Sequence, residues 1–366
     1  MIERFDWSDR QKRAAALKRP TAREEPTLLT GVRTIVEDVR AGGWDALVHH
    51  AVRIDGAEPR PIAVAPFADQ ARRNFPAATL EAFALACRNI EAFHRATKPA
   101  DIETEPMPGL RVGKRWTPIA SAGLYVPGGA APLFSTLLML GIPARVAGVE
   151  RLVVVTPPRQ DGGLDRAIAL AAEAVGVDEV WAVGGAQAIA ALAFGAAAIP
   201  AMARICGPGN AWVTAAKALV ASLSGGPAID LPAGPSELMV IADASAKPPL
   251  VAADLLSQAE HAADAQVLLV STDPALIDAV EVEVDRQISA LASSRFAPVR
   301  ALLCNSLEEA AQIANLVGGV STLTFMKETS IQRVSRDAAA VLAGPAAALA
   351  RLEGLEAHAR AVECRA

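Results

Sequence analysis

The chain has 366 residues, 52% of them hydrophobic and only 4% aromatic, with a formal net charge of −5. That length can bury a large core, as two domains or one discontinuous unit, and the mild negative charge excludes a general attraction for nucleic acid or acidic membrane surfaces. Four scattered cysteines without CxxC spacing, a charged N-terminus lacking the apolar stretch of a signal peptide, and apolar runs too short to cross a bilayer predict a soluble, reduced, cytoplasmic protein.

Residues 30–96 read as helical, with a polar, proline-containing break at Gly56–Pro61, and Asp101–Pro108 reads as an acidic loop. From Trp116 onward, β-branched runs alternate with alanine-rich helical stretches. The clearest pairs are Arg151–Val155 with Leu164–Val175, and Glu179–Val183 with Ala186–Phe194. Ala265–Ser271 with Pro274–Leu291, and Arg300–Cys304 with Leu307–Val317, repeat the scheme. Strands alternating with helices predict parallel sheets joined by right-handed crossovers. The number of units predicts an α/β chain of two doubly wound, Rossmann-like domains with a small helical tail. The expected division joins 1–115 to 235–317 as one domain, inserts 116–234 as the second with the nucleotide-binding turns, and leaves 318–366 as the tail. That tail reads as amphipathic helix broken at Gly344–Pro345 and at Gly354, docked on the same molecule or on a second subunit.

Four glycine-bearing turns stand out: Tyr-Val-Pro-Gly-Gly (125–129), Val-Gly-Gly-Ala-Gln (183–187), Cys-Gly-Pro-Gly-Asn (206–210) and Ala-Gly-Pro-Ser-Glu (233–237). Glycine admits close backbone approach to a ligand, and a following helix N-terminus offers N–H groups to anions. Each turn alone is equally a ligand-free strand-to-helix connection, and none is GxGxxG. Tyr125 is the only tyrosine, which hints that its hydroxyl is used rather than its ring alone. Pro248–His261 reads as one helix with Asp254, Gln258 and His261 on one face. An imidazole and an amide oxygen are possible zinc ligands, but a catalytic zinc takes three protein ligands. Of the five histidines, His49, His50 and His94 read as solvated or structural, and His358, taken alone, as a surface residue.

Together these motifs resemble the histidinol dehydrogenase family. The segments that carry the resemblance are Leu-Tyr-Val-Pro-Gly-Gly (124–129), Ile-Pro-Ala-Arg-Val-Ala-Gly-Val (142–149), Val-Gly-Gly-Ala-Gln-Ala-Ile-Ala-Ala-Leu (183–192), Gly-Pro-Gly-Asn (207–210), Ala-Gly-Pro-Ser-Glu (233–237), Ala-Asp-Leu-Leu-Ser-Gln-Ala-Glu-His (253–261) and Glu-Gly-Leu-Glu-Ala-His-Ala (353–359). The resemblance implies oxidation of L-histidinol through histidinaldehyde to L-histidine, with NAD used twice and one zinc ion, in a homodimer with exchanged C-terminal tails. It implies NAD contacts at Tyr125, Gln187 and Asn210, and substrate contacts at Ser236 and Glu353. The implied zinc ligands, which also lie beside the substrate, are Gln258, His261 and the exchanged tail's His358.

One departure bears on activity. The family carries a Pro-Glu-His-Leu strand, an Asp zinc ligand and an Asn-His-Val-Leu-Pro stretch after the helix matching Leu307–Val317. Here Ala-Asn-Leu-Val (314–317) runs directly into Gly-Gly-Val-Ser-Thr-Leu-Thr-Phe (318–325), so the resemblance supplies no catalytic base residue. The alternative is therefore a catalytically impaired or inert homologue that keeps NAD and zinc binding and dimerisation.

Overall fold

The computed structural model describes residues 2–18, 26–107, 110–128, 133–177, 179–230, 237–261, 265–291, 296–317 and 336–365. They form two units: Met1–Ala22 with Gly234–Ala366, and Arg23–Ala233. In chain order the first unit opens with β1 (Ile2–Asp6) and the short helix α1 (Arg13–Ala16). The second unit begins with α2 (Pro26–Asp55), β2 (Arg60–Ile62), α3 (Ala65–Asn74), α4 (Ala77–Thr97), β3 (Ile102–Met107) and β4 (Leu110–Lys114). It continues as β5 (Ser121–Tyr125), α5 (Phe134–Ala147), β6 (Arg151–Thr156), α6 (Arg166–Val175), β7 (Glu179–Ala182), α7 (Gly185–Phe194), β8 (Arg204–Cys206), α8 (Ala211–Ser222) and β9 (Ala228–Ile229). The first unit resumes with β10 (Glu237–Ala242), α9 (Pro248–Ala259), β11 (Gln266–Ser271), α10 (Pro274–Ser289), β12 (Val299–Leu303), α11 (Leu307–Val317), α12 (Arg336–Leu352) and α13 (Glu356–Glu363).

The second unit is built on a six-stranded sheet ordered β2-β7-β6-β5-β8-β9, parallel except for β2. Apolar residues of α2, α7 and α8 form one layer, with Val36, Leu47, Ile189 and Val213 packed on Val153 and Val155 of the sheet. α5 and α6 pack on each other and are covered by α4 and α3. Local chemistry sets the helix limits. Asp165 begins α6 by accepting from the N–H groups of Ala167 and Ile168, and Gly176 ends it in the left-handed region at φ +74°.

The expected division differs from the observed one in the N-terminal helices. Residues 26–97 group with the nucleotide-turn unit because the apolar face of α2 is buried against α7 and α8. The expected acidic loop at 101–108 is largely the strand β3, whose backbone pairs with β4 in an antiparallel hairpin.

The first unit holds a four-stranded, wholly parallel sheet ordered β1-β12-β11-β10. Leu255, Ile277 and Val280 of α9 and α10 pack on one face with Val267 and Leu269. Trp7, Ala310 and Ile313 pack on Leu268, Val270 and Leu302 at the other. Both units therefore have helices on both faces of a parallel sheet, as expected. In the tail, α12 runs straight through Gly344–Pro345 instead of breaking there. Glycine before proline has no Cβ for the ring to strike, which lifts much of the usual bar to helix at that position. The break comes only at Gly354, with φ +75°.

Fully buried Leu47 joins α2 to the sheet layer. Leu47→Ala should lower unfolding stability by about 2–5 kcal/mol. Val341→Ala, at a residue 69% exposed, should change it by no more than about 0.5 kcal/mol. Denaturant unfolding of the two variants checks the contrast.

Candidate active site

In the second unit the chain crosses from one side of β5 to the other, since β6 flanks it on one edge and β8 on the other. In open α/β sheets such a reversal leaves a crevice at the C-terminal ends of the strands. Three of the four glycine-bearing turns begin at this edge, after β5, β7 and β8.

The turn after β8 is clamped at Gly207. Its N–H donates to Asp230 Oδ2 at 2.7 Å, and its carbonyl accepts from Lys217 Nζ at 2.7 Å. Lys217 is 1% exposed and also pairs with Asp230. Gly207 has φ +125°, and a Cβ there would lie 2.1 Å from the carbonyl oxygen of Tyr125. No other residue fits that approach. Neither Lys217 nor Asp230 stands out in the sequence, because a lysine inside a helical pattern reads as a solvated position.

Beside this clamp, Asp55 at the end of α2 accepts from Gly184 N at 2.9 Å and from Gln187 Nε2 at 3.1 Å. The hydroxyl of Tyr125 accepts from Gly185 N at 3.3 Å. The N–H groups of Gly184 and Gly185, which lead into α7, are thus taken by side chains. Burial pushes the Asp55 carboxyl above its ordinary value, against the lowering effect of the two bonds it accepts. Burial also raises the Tyr125 phenol to about 12, with the nearby Asp55 charge acting in the same direction.

Gln187 is fully buried, and its Oε1 has no hydrogen-bond partner among the described residues. Gln187, Asn210, Gly185 and Trp212 line one cavity of about 530 Å³. Asn210 Oδ1 accepts from Val213 N at 3.1 Å and caps α8, which leaves the amide nitrogen as the end not used by the cap. The structure therefore brings Gln187 and Asn210 to one cavity and ties Tyr125 to the turn beneath Gln187.

The first unit holds the second cluster. α9 ends at Ala259, so His261 lies two residues past the helix, in a turn closed by its N–H onto the carbonyl of Gln258, rather than inside it. Its Nε2 is 3.0 Å from Nε2 of His358, and the rings meet edge to face. The tail's histidine reaches this site within one chain; the connection at 318–335 lies outside the described residues. Glu260, nearly buried, organises the junction. Its carboxylate accepts from Ala357 N at 3.0 Å, His358 N at 2.9 Å and His358 Nδ1 at 2.9 Å. It thereby caps α13 and fixes the ring of His358 with Nε2 turned toward His261. Burial, and then the neighbouring His358, lower the His261 pKa and favour its neutral form.

These residues fit a zinc ion. Two ligands about 2.0–2.1 Å from a tetrahedral zinc lie roughly 3.3 Å apart, close to the observed separation of the ring nitrogens. A carboxylate on the far nitrogen of a ligating imidazole is the usual orienting arrangement. Gln258 Nε2 is buried without a partner, and because amide ends are interchangeable by rotation, the same position can present an oxygen. Among the described residues no group of three or more His, Cys, Asp and Glu converges on a metal position; a zinc held by Gln258, His261 and His358 would have two imidazoles and one amide as its protein donors. Asp254 faces Arg365 in an ion pair, while Glu353 is buried just before the turn into α13. Ser236 lies outside the described residues. Asp55 and Glu260 sit at the C-terminal ends of α2 and α9, where a carboxylate opposes the helix dipole, but the partners that use them are distant in sequence.

Because Tyr125 is the only tyrosine, its ionisation can be followed alone by phenolate absorbance. A phenol at about 12 in the fold and about 10 when unfolded stabilises the fold below pH 10, and that contribution is lost as pH rises through 12. The expected spectrum shows no phenolate at pH 10–11 while the chain stays folded. A midpoint near 10 in the folded chain contradicts the buried placement.

The sequence model of the family described as histidinol dehydrogenase matches residues 17–318 and 309–366. A histidinol dehydrogenase of Xanthomonas euvesicatoria is 40% identical over 424 residues, covering 99% of this chain and 98% of the relative. One from Xylella fastidiosa is 39% identical with the same coverage. The crystal structure of histidinol dehydrogenase from Elizabethkingia anophelis superposes with a TM-score of 0.80 at 30% identity, covering 100% of this chain and 98% of that one. The 424 aligned residues exceed the 366 of this chain, so dozens of positions in the relative have no counterpart here. The two family-matched stretches meet at 309–318, where the sequence placed the missing block. On these grounds the chain belongs to the histidinol dehydrogenase family.

Proposed function

We propose that this chain binds NAD and zinc and oxidises L-histidinol through histidinaldehyde to L-histidine, as a cytoplasmic homodimer with exchanged tails. The single observation that carries the reading is the convergence of His261 and His358, whose ring nitrogens lie 3.0 Å apart. It is supported in the other unit by Gln187 and Asn210 on one cavity wall.

Gln258, His261 and His358 would hold the metal, with Glu260 keeping His358 in the tautomer whose Nε2 is free. When bound, zinc supplies Lewis acidity and a fixed anchor for the substrate's nitrogen and oxygen atoms, and NAD accepts hydride. Gln187, oriented by Asp55, and Asn210, held by the Gly207 clamp, would position the dinucleotide. Glu353 and Ser236 are proposed substrate contacts. Exchange of the tail preserves every contact described for His358, since these depend on which residues meet and not on which copy supplies α13.

The chain has no counterpart of the family's general bases in the resemblance described above. Base assistance contributes about 10²–10⁴-fold to such steps, and lost positioning compounds its loss at the same transition state. Turnover of L-histidinol, followed as NADH formation by the zinc-loaded chain, should be about 10³-fold or more below that of a relative carrying the full block. Near-normal turnover would mean that another residue takes the protons. Separately, His261→Ala should abolish stoichiometric zinc after dialysis, read by elemental analysis. Unchanged zinc content removes the site.

A further inference from the structure

We infer that Asp55 is a positioning residue that fixes the Gln187 amide with its nitrogen inward and its oxygen left for the cofactor, so the dinucleotide must present an N–H or O–H there. This rests on the reading of that cavity as the NAD site.

The argument begins with what each group can do. An ionised carboxylate only accepts, whereas a Gln amide has a donating and an accepting end that coordinates alone do not distinguish. Asp55 Oδ2 lies 3.1 Å from the amide of Gln187 and 2.9 Å from Gly184 N. Reversing the amide would set two acceptors against each other at that distance. The nitrogen is therefore the end bound to Asp55. The oxygen remains buried and without a partner among the described residues, in a residue that is 0% exposed and lines the cavity. Buried acceptors are almost always satisfied, and Gln187 lines the cavity, so the partner of this oxygen in the complex is assigned to a ligand donor.

Charge narrows the choice of ligand group. Asp55 brings a negative charge to the start of α7 and occupies Gly184 N, while Tyr125 occupies Gly185 N. The N–H groups of Gly184 and Gly185 are thus taken, and the Asp55 charge opposes a pyrophosphate at this turn. The group that meets Gln187 is thus an uncharged or cationic part of the cofactor: the carboxamide of the nicotinamide, the amine edge of the adenine, or a ribose hydroxyl.

The test is NAD affinity, measured by titration calorimetry, with folding checked by circular dichroism. Asp55→Ala should weaken binding about tenfold, the scale of one lost hydrogen-bond constraint. Asp55→Asn keeps an oxygen that can accept both bonds and should stay within about threefold. In a Gln187→Leu background, Asp55→Ala should add little further weakening, because the partner through which it acts is gone. The weakening by Asp55→Ala should vanish for whichever analogue lacks the donor: nicotinic acid adenine dinucleotide for the carboxamide, nicotinamide hypoxanthine dinucleotide for the amine. Persistence with both assigns the donor to a ribose hydroxyl.

Unchanged affinity in Asp55→Ala overturns the inference. So does Asp55→Asn as weak as Asp55→Ala, or a full additional loss in the Gln187→Leu background. If Asp55→Ala does not fold, the exchanged pair D55N/Q187E carries the test: it should bind NAD more tightly than Q187E alone, and equal or weaker binding overturns the inference. Failure of the unsubstituted chain to bind NAD sinks the proposed cofactor reading, and this inference with it. Binding that is indifferent to Asp55 sinks the inference only.

Discussion

A buried lysine holds the crevice at the C-terminal ends of the second unit's strands in shape. Lys217 reaches the carbonyl of Gly207 while its ion-pair partner Asp230 takes the N–H of the same residue. Both backbone groups of one glycine are thus fixed by charge, with the lysine fully buried and the aspartate partly exposed. Breaking such a pair by removing one member leaves an uncompensated charge and typically costs about 3–5 kcal/mol. The rest of the crevice follows from that fixed point. Gly207 can then lie against the backbone of Tyr125, and Asn210 can begin α8 at the cavity wall.

The first unit solves a similar problem with one carboxylate. Glu260 satisfies the first N–H groups of α13 and the outer nitrogen of His358 together. Docking the tail and aiming its histidine are therefore a single event. A helix whose N-terminal donors are met by another element is oriented by that element, and here the consequence is two imidazole nitrogens facing each other. In both units an acidic residue fixes the orientation of a neighbouring side chain: Asp55 for Gln187, Glu260 for His358.

Much of this was legible in the sequence, because alternation of β-branched and alanine-rich segments is a direct consequence of burying parallel strands under helices. The long motifs located Tyr125, Gln187, Asn210, Gln258, His261 and His358, and the structure brings these into two clusters. Other features were hidden for physical reasons. The amphipathic pattern of α2 states that a face is buried but not against what, so its membership in the second unit needed three dimensions. Gly344–Pro345 reads as a helix stop, yet the missing Cβ of the glycine lets α12 continue. Lys217, Asp230, Asp55 and Glu260 act through partners distant in sequence, and nothing in their immediate neighbourhoods separates them from solvated charges.

The account as a whole holds that this chain keeps the ligand-positioning parts of its family and lacks the groups that take protons. Grafting the missing block of the Xanthomonas euvesicatoria relative between Val317 and Gly318, and measuring NADH formation from L-histidinol at saturating NAD and zinc, tests that claim most directly. The account predicts a gain of about 10²-fold or more over the ungrafted chain, on the scale of base assistance. A folded graft with zinc and NAD bound but no gain in turnover would contradict it.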